Sequence, residues 1–215
     1  MFIYAFESGP LATIAYLVGD DSGRAIIIDA PKDCAERIQL AAANKNIVPE
    51  KLLLTHSHWD HTADADALKK MFNIPVYVHK QDEYRLVEPK TELIQPPFTL
   101  LPMHADLYLE ENDEIMVGGL HFQVLFTPGH TEGSVCFYES TEGVLFTGDT
   151  LFAGSVGRTD LSGGSWEVLM HSIQTKLLPL PDNIAAYPGH GPQTTIGIER
   201  LYNPFLNGET ADNDE

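Results

Sequence analysis

Short apolar, β-branched runs recur along the chain as TIAYLV (13–18), AIIID (25–29), KLLLT (51–55), PVYVH (75–79), FQVLFT (122–127), SVCFY (134–138), GVLFTGD (143–149) and IAAYPGH (184–190). Gly, Pro, Asp and Asn bound them, as they bound buried strands. Between some of these runs the period changes to about 3.6, which predicts helices over KDCAERIQLAAANK (32–45), TADADALKKMF (62–72), SWEVLMHSIQTKLL (165–178) and a short TTIGIERLY (194–202). Strands and helices alternate, yet SVCFYESTEGVLFTGD reads as a hairpin, and some strands lie too close in sequence for helical crossovers. The pattern therefore favours an α/β fold with two sheets over one doubly wound sheet. Residues 88–105 carry four prolines and no clear period, so they read as a long irregular connection, either a surface excursion or a lid. No 20- to 50-residue period repeats. The predicted organisation is one folded unit over 1–206, followed by an acidic, disordered tail at 207–215.

At 215 residues, 43% of them apolar, the chain is long enough for a sizeable core. The opening MFIYAFESGPLATIAYLVGD has no Lys or Arg ahead of its apolar residues and is broken by Gly9 and Pro10, so no secretory leader is expected. Nor does any run approach the roughly 18 uninterrupted apolar residues of a membrane span. Cys34 and Cys136 allow at most one disulfide. The expectation is a soluble, cytoplasmic protein. Its net charge of −18, from 31 acids against 13 scattered bases, disfavours nucleic acid and other polyphosphates as partners, and without a spanning run no membrane partner is expected.

The chemistry is concentrated in THSHWDH (55–61), which sets His56, His58, Asp60 and His61 directly after an apolar run. Three further runs end in a single candidate ligand: His130 after TPG, Asp149 after FTG and His190 after YPG. Residues just past the carboxyl ends of neighbouring strands gather on one rim of a layered α/β protein, so positions 56 to 190 can converge. Gly129, Gly148 and Gly189 immediately precede the last three candidates, where a missing Cβ permits a sharp turn or a close approach. One such histidine alone is more often a cap or a surface residue; the joint pattern is not. His79, His104, His121 and His171 lack this context and are read as structural. Seven ligands exceed what one catalytic zinc takes and suit two metals. A water shared between two ions loses its proton near neutrality, and the second ion can hold a substrate oxygen or the leaving group.

THSHWDH, TPGHTEGSVCF, GDTLFAGSVGRTDL and YPGHGPQTTIGIER together resemble the metallo-β-lactamase superfamily, and within it the glyoxalase II-like thioester hydrolases, from about Tyr4 to Leu206. The resemblance implies an αββα sandwich of two mixed sheets flanked by helices. It implies a first metal on His56, His58 and His130, a second on Asp60, His61 and His190, and Asp149 bridging them. Zinc is the first expectation, and the His and Asp set also accepts iron or manganese. The implied activity is hydrolysis of a small-molecule thioester, S-lactoylglutathione-like, by a bridging hydroxide oriented by Asp60 and Asp149. Arg158 would meet the substrate. Glyoxalase II proper adds a C-terminal helical domain and presents tyrosines where Asp160 and Pro192 stand here, so the match is to a short, single-domain branch. The GRTD turn is shared with persulfide dioxygenases, which hold one iron on the same scaffold; their last turn typically reads Pro-Ala-His-Asp, whereas Pro188-Gly189-His190-Gly191 has the hydrolase form. A metal-binding module without catalysis is a third reading. Asp29 has two equal readings, orienting a metal-binding histidine or starting a helix.

Overall fold

The structure, a computed structural model, describes residues 1–89 and 94–207. In the first half, β1 (Phe2–Ser8), β2 (Thr13–Gly19) and β3 (Arg24–Ile28) form an antiparallel meander. Helix α1 (Ala35–Lys45) crosses to β4 (Val48–Leu53), α2 (Trp59–Thr62) and α3 (Ala65–Phe72) to β5 (Val76–His79), and a 3₁₀ turn (Lys80–Asp82), α4 (Glu83–Val87) and the proline-rich connection to β6 (Leu107–Leu109). These six strands lie side by side in chain order, parallel from β3 onward. The second sheet takes β7 (Glu114–Val117), β8 (Leu120–Phe126), β9 (Val135–Glu139) and β10 (Val144–Gly148) as an antiparallel run. A small hairpin, β11 (Leu151–Phe152) and β12 (Ser155–Val156), follows, and then α5 (Trp166–Ser172), which continues into a π-helical turn at Ile173–Leu177. The chain returns as β13 (Ala185–Pro188), parallel to β10, then β14 (Thr194–Thr195) and α6 (Ile196–Tyr202).

Strand periodicity explains the layering. In β2, Ile14, Tyr16 and Val18 face the other sheet while Ala15 and Leu17 face the helices; Ile26 and Ile28 divide from Ala25 and Ile27 in the same way. With both faces covered, such strands read as continuous apolar runs, not as alternation. The space between the sheets is filled by Phe122, Phe137 and Phe146, none of them exposed. Each contributes about 1.5–3 kcal/mol by leaving water. α1 and α3 cover the outside of the first sheet, while α5, the π-helical turn and α6 cover the second. This is the αββα sandwich.

The predicted hairpin is present, with Val144 opposite Glu139 and Phe146 opposite Phe137. β1, β6 and β7 were not among the predicted strands. They are outer strands, and β6 and β7 are only three and four residues long, too short for an apolar run or an alternation to declare itself. The helix expected over 62–72 begins earlier and divides, so Asp60 and His61 stand on α2 and not in an open loop. Cys34 and Cys136 are buried free thiols on opposite outer faces of the sandwich. The tail expected at 207–215 lies outside the described residues apart from Asn207, as do residues 90–93 of the proline-rich connection. No helix among the described residues is long and apolar enough to cross a membrane.

Candidate metal centre

The carboxyl ends of β4, β8, β10 and β13 meet at one edge of the sandwich. The turn after β4 delivers His56 and His58, and the first turn of α2 then carries Asp60 and His61. His130 follows β8, Asp149 follows β10 and His190 follows β13. All seven predicted residues arrive at the same place, in three groups whose ligand atoms lie within 4.8 Å of one another: His56, His58 and His130; His56, His61 and Asp149; Asp60, His61 and His190. A Cβ on Gly189 would stand 2.4 Å from Asp149 Oδ1 and 2.5 Å from His61 Cε1, so only glycine lets β13 end against the cluster. Gly148 turns with φ 48°, and a Cβ there would meet Thr55 Oγ1 at 2.5 Å.

Ring tautomers follow from the partners of each Nδ1. His61 Nδ1 donates to Asp29 Oδ2 at 2.8 Å, His130 Nδ1 to the Arg158 carbonyl at 2.7 Å and His190 Nδ1 to the Leu11 carbonyl at 3.1 Å. Thr55 Oγ1 gives its proton to Asp29 Oδ2, so it accepts from His56 Nδ1 at 3.1 Å. Four rings therefore turn an Nε2 lone pair inward. His61 Nε2 and His190 Nε2 lie only 3.3 Å apart. Two lone pairs at that separation repel unless a proton or a cation lies between them. His130 Nε2 faces His58 Nδ1 at 2.9 Å, and His56 Nε2 is buried with no hydrogen-bond partner among the described residues. Buried acceptors without donors are costly, and divalent ions held by these groups would satisfy them. The donor set fits metal.

Charge divides the cluster. Burial, followed by the neighbouring rings, holds His56 well below the usual imidazole range, and burial with His130 holds His58 down at about 3. Both stay neutral, as ligands must. Burial also acts on His61, but Asp149, Asp60 and Asp29 together outweigh it and raise its pKa, so without an ion a proton takes the place on Nε2 that a metal would fill. Burial pushes the Asp60 carboxyl up, yet the neighbouring His61 and His190 rings and the hydrogen bond from Thr13 bring it down to about 2. Asp149 is likewise held below the carboxylate range, burial being outweighed by His61, His190 and His130. Its two oxygens reach both sides: Oδ1 is 3.2 Å from His61 Nε2, while Oδ2 is 3.5 Å from His190 Nε2 and 3.6 Å from His130 Nε2.

Several supporting residues had no signal at the level of the sequence. Thr13 Oγ1 donates to Asp60 Oδ2 at 2.7 Å, and Asp82 braces two ligand-bearing turns. Asp29 resolves to the orienting role: besides His61 it accepts the Thr55 N–H at 2.8 Å, and α1 starts well beyond it, at Ala35. His79 stacks on Phe126, His104 faces Glu83, His121 sits on β8 and His171 on α5; none joins the cluster.

A cavity of about 570 Å³ opens over the cluster, with His58, Asp60, His130, Asp149 and His190 in its floor and Leu11, Trp59, Phe152, Val156 and Leu161 in its walls. Arg158 stands at its edge, forked onto Asp160 through Nε and Nη2, both at 2.7 Å. Glu88 and Ile94 of the proline-rich connection line the same cavity, and Phe98 packs edge-on against Trp59 at 5.9 Å between ring centroids.

This fold and this cluster define a metal-binding αββα scaffold, and residues 8–190 match the pattern of the metallo-beta-lactamase superfamily. The chain belongs to that superfamily. The hydroxyacylglutathione hydrolase GloC of Haemophilus influenzae is 40% identical over 198 residues, 90% of this chain and 92% of that relative. Among solved structures, the BLEG-1 B3 metallo-beta-lactamase superposes with a TM-score of 0.90 at 40% identity, covering 96% of this chain and all (100%) of its own. TTHA1623 in a di-iron-bound form superposes with a TM-score of 0.78 at 36% identity, covering 94% and 100%.

Proposed function

We propose that the chain hydrolyses a small thioester, S-lactoylglutathione-like, with two divalent metal ions. The observation that carries this is Asp149, whose two oxygens reach towards both ligand sets, one of His56, His58 and His130 and the other of Asp60, His61 and His190. The di-iron form of TTHA1623 and the activity named for GloC support the reading. When bound, such ions supply Lewis acidity, lowering the pKa of water and polarising a carbonyl.

The protein's own contribution is positional. Asp29, the Arg158 carbonyl and the Leu11 carbonyl hold the ring N–H groups outward, so the lone pairs converge without reorganisation. Asp60, fixed by Thr13, and Asp149 stay ionised at the cavity floor, where each can accept a proton bond from an attacking water and orient it. Leu11, Trp59, Phe152, Val156 and Leu161 give the cavity apolar walls around the space where the acyl group would lie. A thiol with a pKa near 8.5 leaves as thiolate without a general acid, whereas an amine requires one. Arg158 is the proposed contact to a carboxylate of the thiol portion.

One assay tests the reading: quantify metals per chain, then measure S-lactoylglutathione hydrolysis, oxygen uptake with glutathione persulfide, and β-lactam turnover on the same preparation. About two metals and thioester hydrolysis are expected. Oxygen uptake without hydrolysis would transfer the chain to the dioxygenase reading, and β-lactam turnover matching that of the thioester would overturn the leaving-group argument.

A further inference from the structure

Asp82 has no exposed surface and sits at the end of the 3₁₀ turn after β5, outside the seven-residue cluster. Its Oδ2 accepts from the Ser57 N–H at 2.8 Å, the Ser57 hydroxyl at 3.0 Å and the Thr131 hydroxyl at 2.9 Å. Its Oδ1 accepts from the Gly133 N–H at 2.7 Å and from Arg85 Nη1 at 3.3 Å. Ser57 lies between His56 and His58, and Thr131 follows His130. One carboxylate thus ties together the two turns, from different sheets, that carry all three residues of the first ligand set. The fit is tight, since a Cβ on Gly133 would stand 2.6 Å from Asp82 Oδ1. On its other side Arg85 donates to the Ser162 carbonyl at 2.6 Å and to Glu132 at 2.7 Å, fastening the same unit to the cavity wall.

We infer that Asp82 is a positioning residue for the first metal, setting the distance between the His56/His58 turn and His130. The inference rests on the metal-hydrolase reading for the existence of that ion, but not on the identity of the substrate. The competing role is purely structural: a buried carboxylate that satisfies nearby donors and stabilises the fold wherever it happens to lie.

The test is zinc affinity, measured by competition with a chromophoric chelator, on full-length Asp82→Ala, Thr131→Val and Glu199→Gln, each checked for its melting temperature. Glu199→Gln is the control, because Glu199 is also buried and fully engaged, accepting from Gly154 N–H, Thr194 and Asn203 away from the cluster. Asp82→Ala is expected to weaken one of two zinc-binding steps about 10- to 100-fold, the range for partners that orient metal ligands. Thr131→Val removes one contact to Asp82 Oδ2, and is expected to weaken the same step about threefold with the fold intact. Glu199→Gln should lower the melting temperature and leave both steps alone. Unchanged zinc binding in Thr131→Val and in folded Asp82→Ala, with only the melting temperature lowered, overturns the inference; should Asp82→Ala fail to fold, Thr131→Val decides alone. A wild-type chain that binds no zinc, iron or manganese overturns both this and the hydrolase reading. Normal zinc steps in the wild type with no thioester turnover overturn only the choice of substrate.

Discussion

At the floor of the cavity, His56 and His61 are almost or wholly inaccessible, and each ring N–H of His56, His61, His130 and His190 is held by an oxygen acceptor. At the mouth, the Arg158 side chain is 47% exposed and Asp160 is 64% exposed, and their mutual fork is a surface ion pair, a type worth little to stability. The walls between are side chains such as Leu11, Trp59 and Ile94, which fill space without fixing direction. The floor is over-determined and the mouth is adjustable. Chemistry that depends on placement within fractions of an ångström belongs to the floor, while discrimination among substrates belongs to the mouth. Substitutions in the two regions should therefore fail differently: floor variants in metal content and kcat, mouth variants in KM.

The largest effect is expected at Asp149. Asp149→Ala removes the carboxylate that faces both ligand sets and leaves His61 and His190 facing each other without it. Metal content should fall and kcat should drop by more than about 100-fold, beyond what losing an orienting partner costs. Plasma emission on dialysed protein reads the metal, and a variant with two ions and normal turnover would remove Asp149 from the floor. A smaller loss is expected at Asp29. In Asp29→Asn only one oxygen remains for Thr55 and His61 together, and an amide NH₂ turned toward His61 Nδ1 would drive the ring proton to Nε2, the nitrogen that must stay bare. Metal affinity should weaken about 10- to 100-fold with KM unchanged. Histidine NMR of the metal-free variant checks the cause, because a His61 proton still on Nδ1 would contradict it. Chelation should also lower the melting temperature of the wild type by several degrees without unfolding it: a ligand at about 100 times its Kd stabilises by about 2.7 kcal/mol, and the core between the sheets remains. Restoration by added zinc is the check.

The same division explains what could be read before folding. The floor was legible because its residues gather just past four buried strands, and a strand end fixes direction: for His130, Asp149 and His190 an apolar run, a glycine and a ligand carry their own geometry, while THSHWDH declares itself by its density of ligands. Seven positions scattered from 56 to 190 could thus be brought together on paper. Asp82 was not legible, because its partners Ser57, Thr131 and Gly133 become neighbours only when β5 lies beside β4 and the two sheets pack. Short outer strands such as β6 and β7 escaped for a related reason: they are held by pairing to a neighbour, and half their side chains face water. α4 is five residues long, and no apolar period can declare itself in that length.

The mouth is where the smallest effect is expected and where the comparison is most easily sharpened. Arg158 was singled out as a basic anchor, and the structure pairs it with Asp160 while leaving it at the cavity's edge. An anionic thioester must therefore share the guanidinium with Asp160 or displace it. A charge-assisted hydrogen bond is worth about 1.5–3 kcal/mol when unopposed, and competition reduces the gain. Arg158→Ala should raise KM for an anionic thioester about three- to tenfold and leave kcat unchanged, since the contact is remote from the reacting carbonyl and similar in ground and transition states. A neutral thioester should be indifferent. Asp160→Asn should act in the opposite direction: with its competitor neutralised, Arg158 is released and KM for the anionic substrate falls. Steady-state kinetics on a matched charged and neutral pair reads both variants. Equal losses on the two substrates, or no response to Asp160→Asn, would return Arg158 to a turn residue whose partner is Asp160 alone.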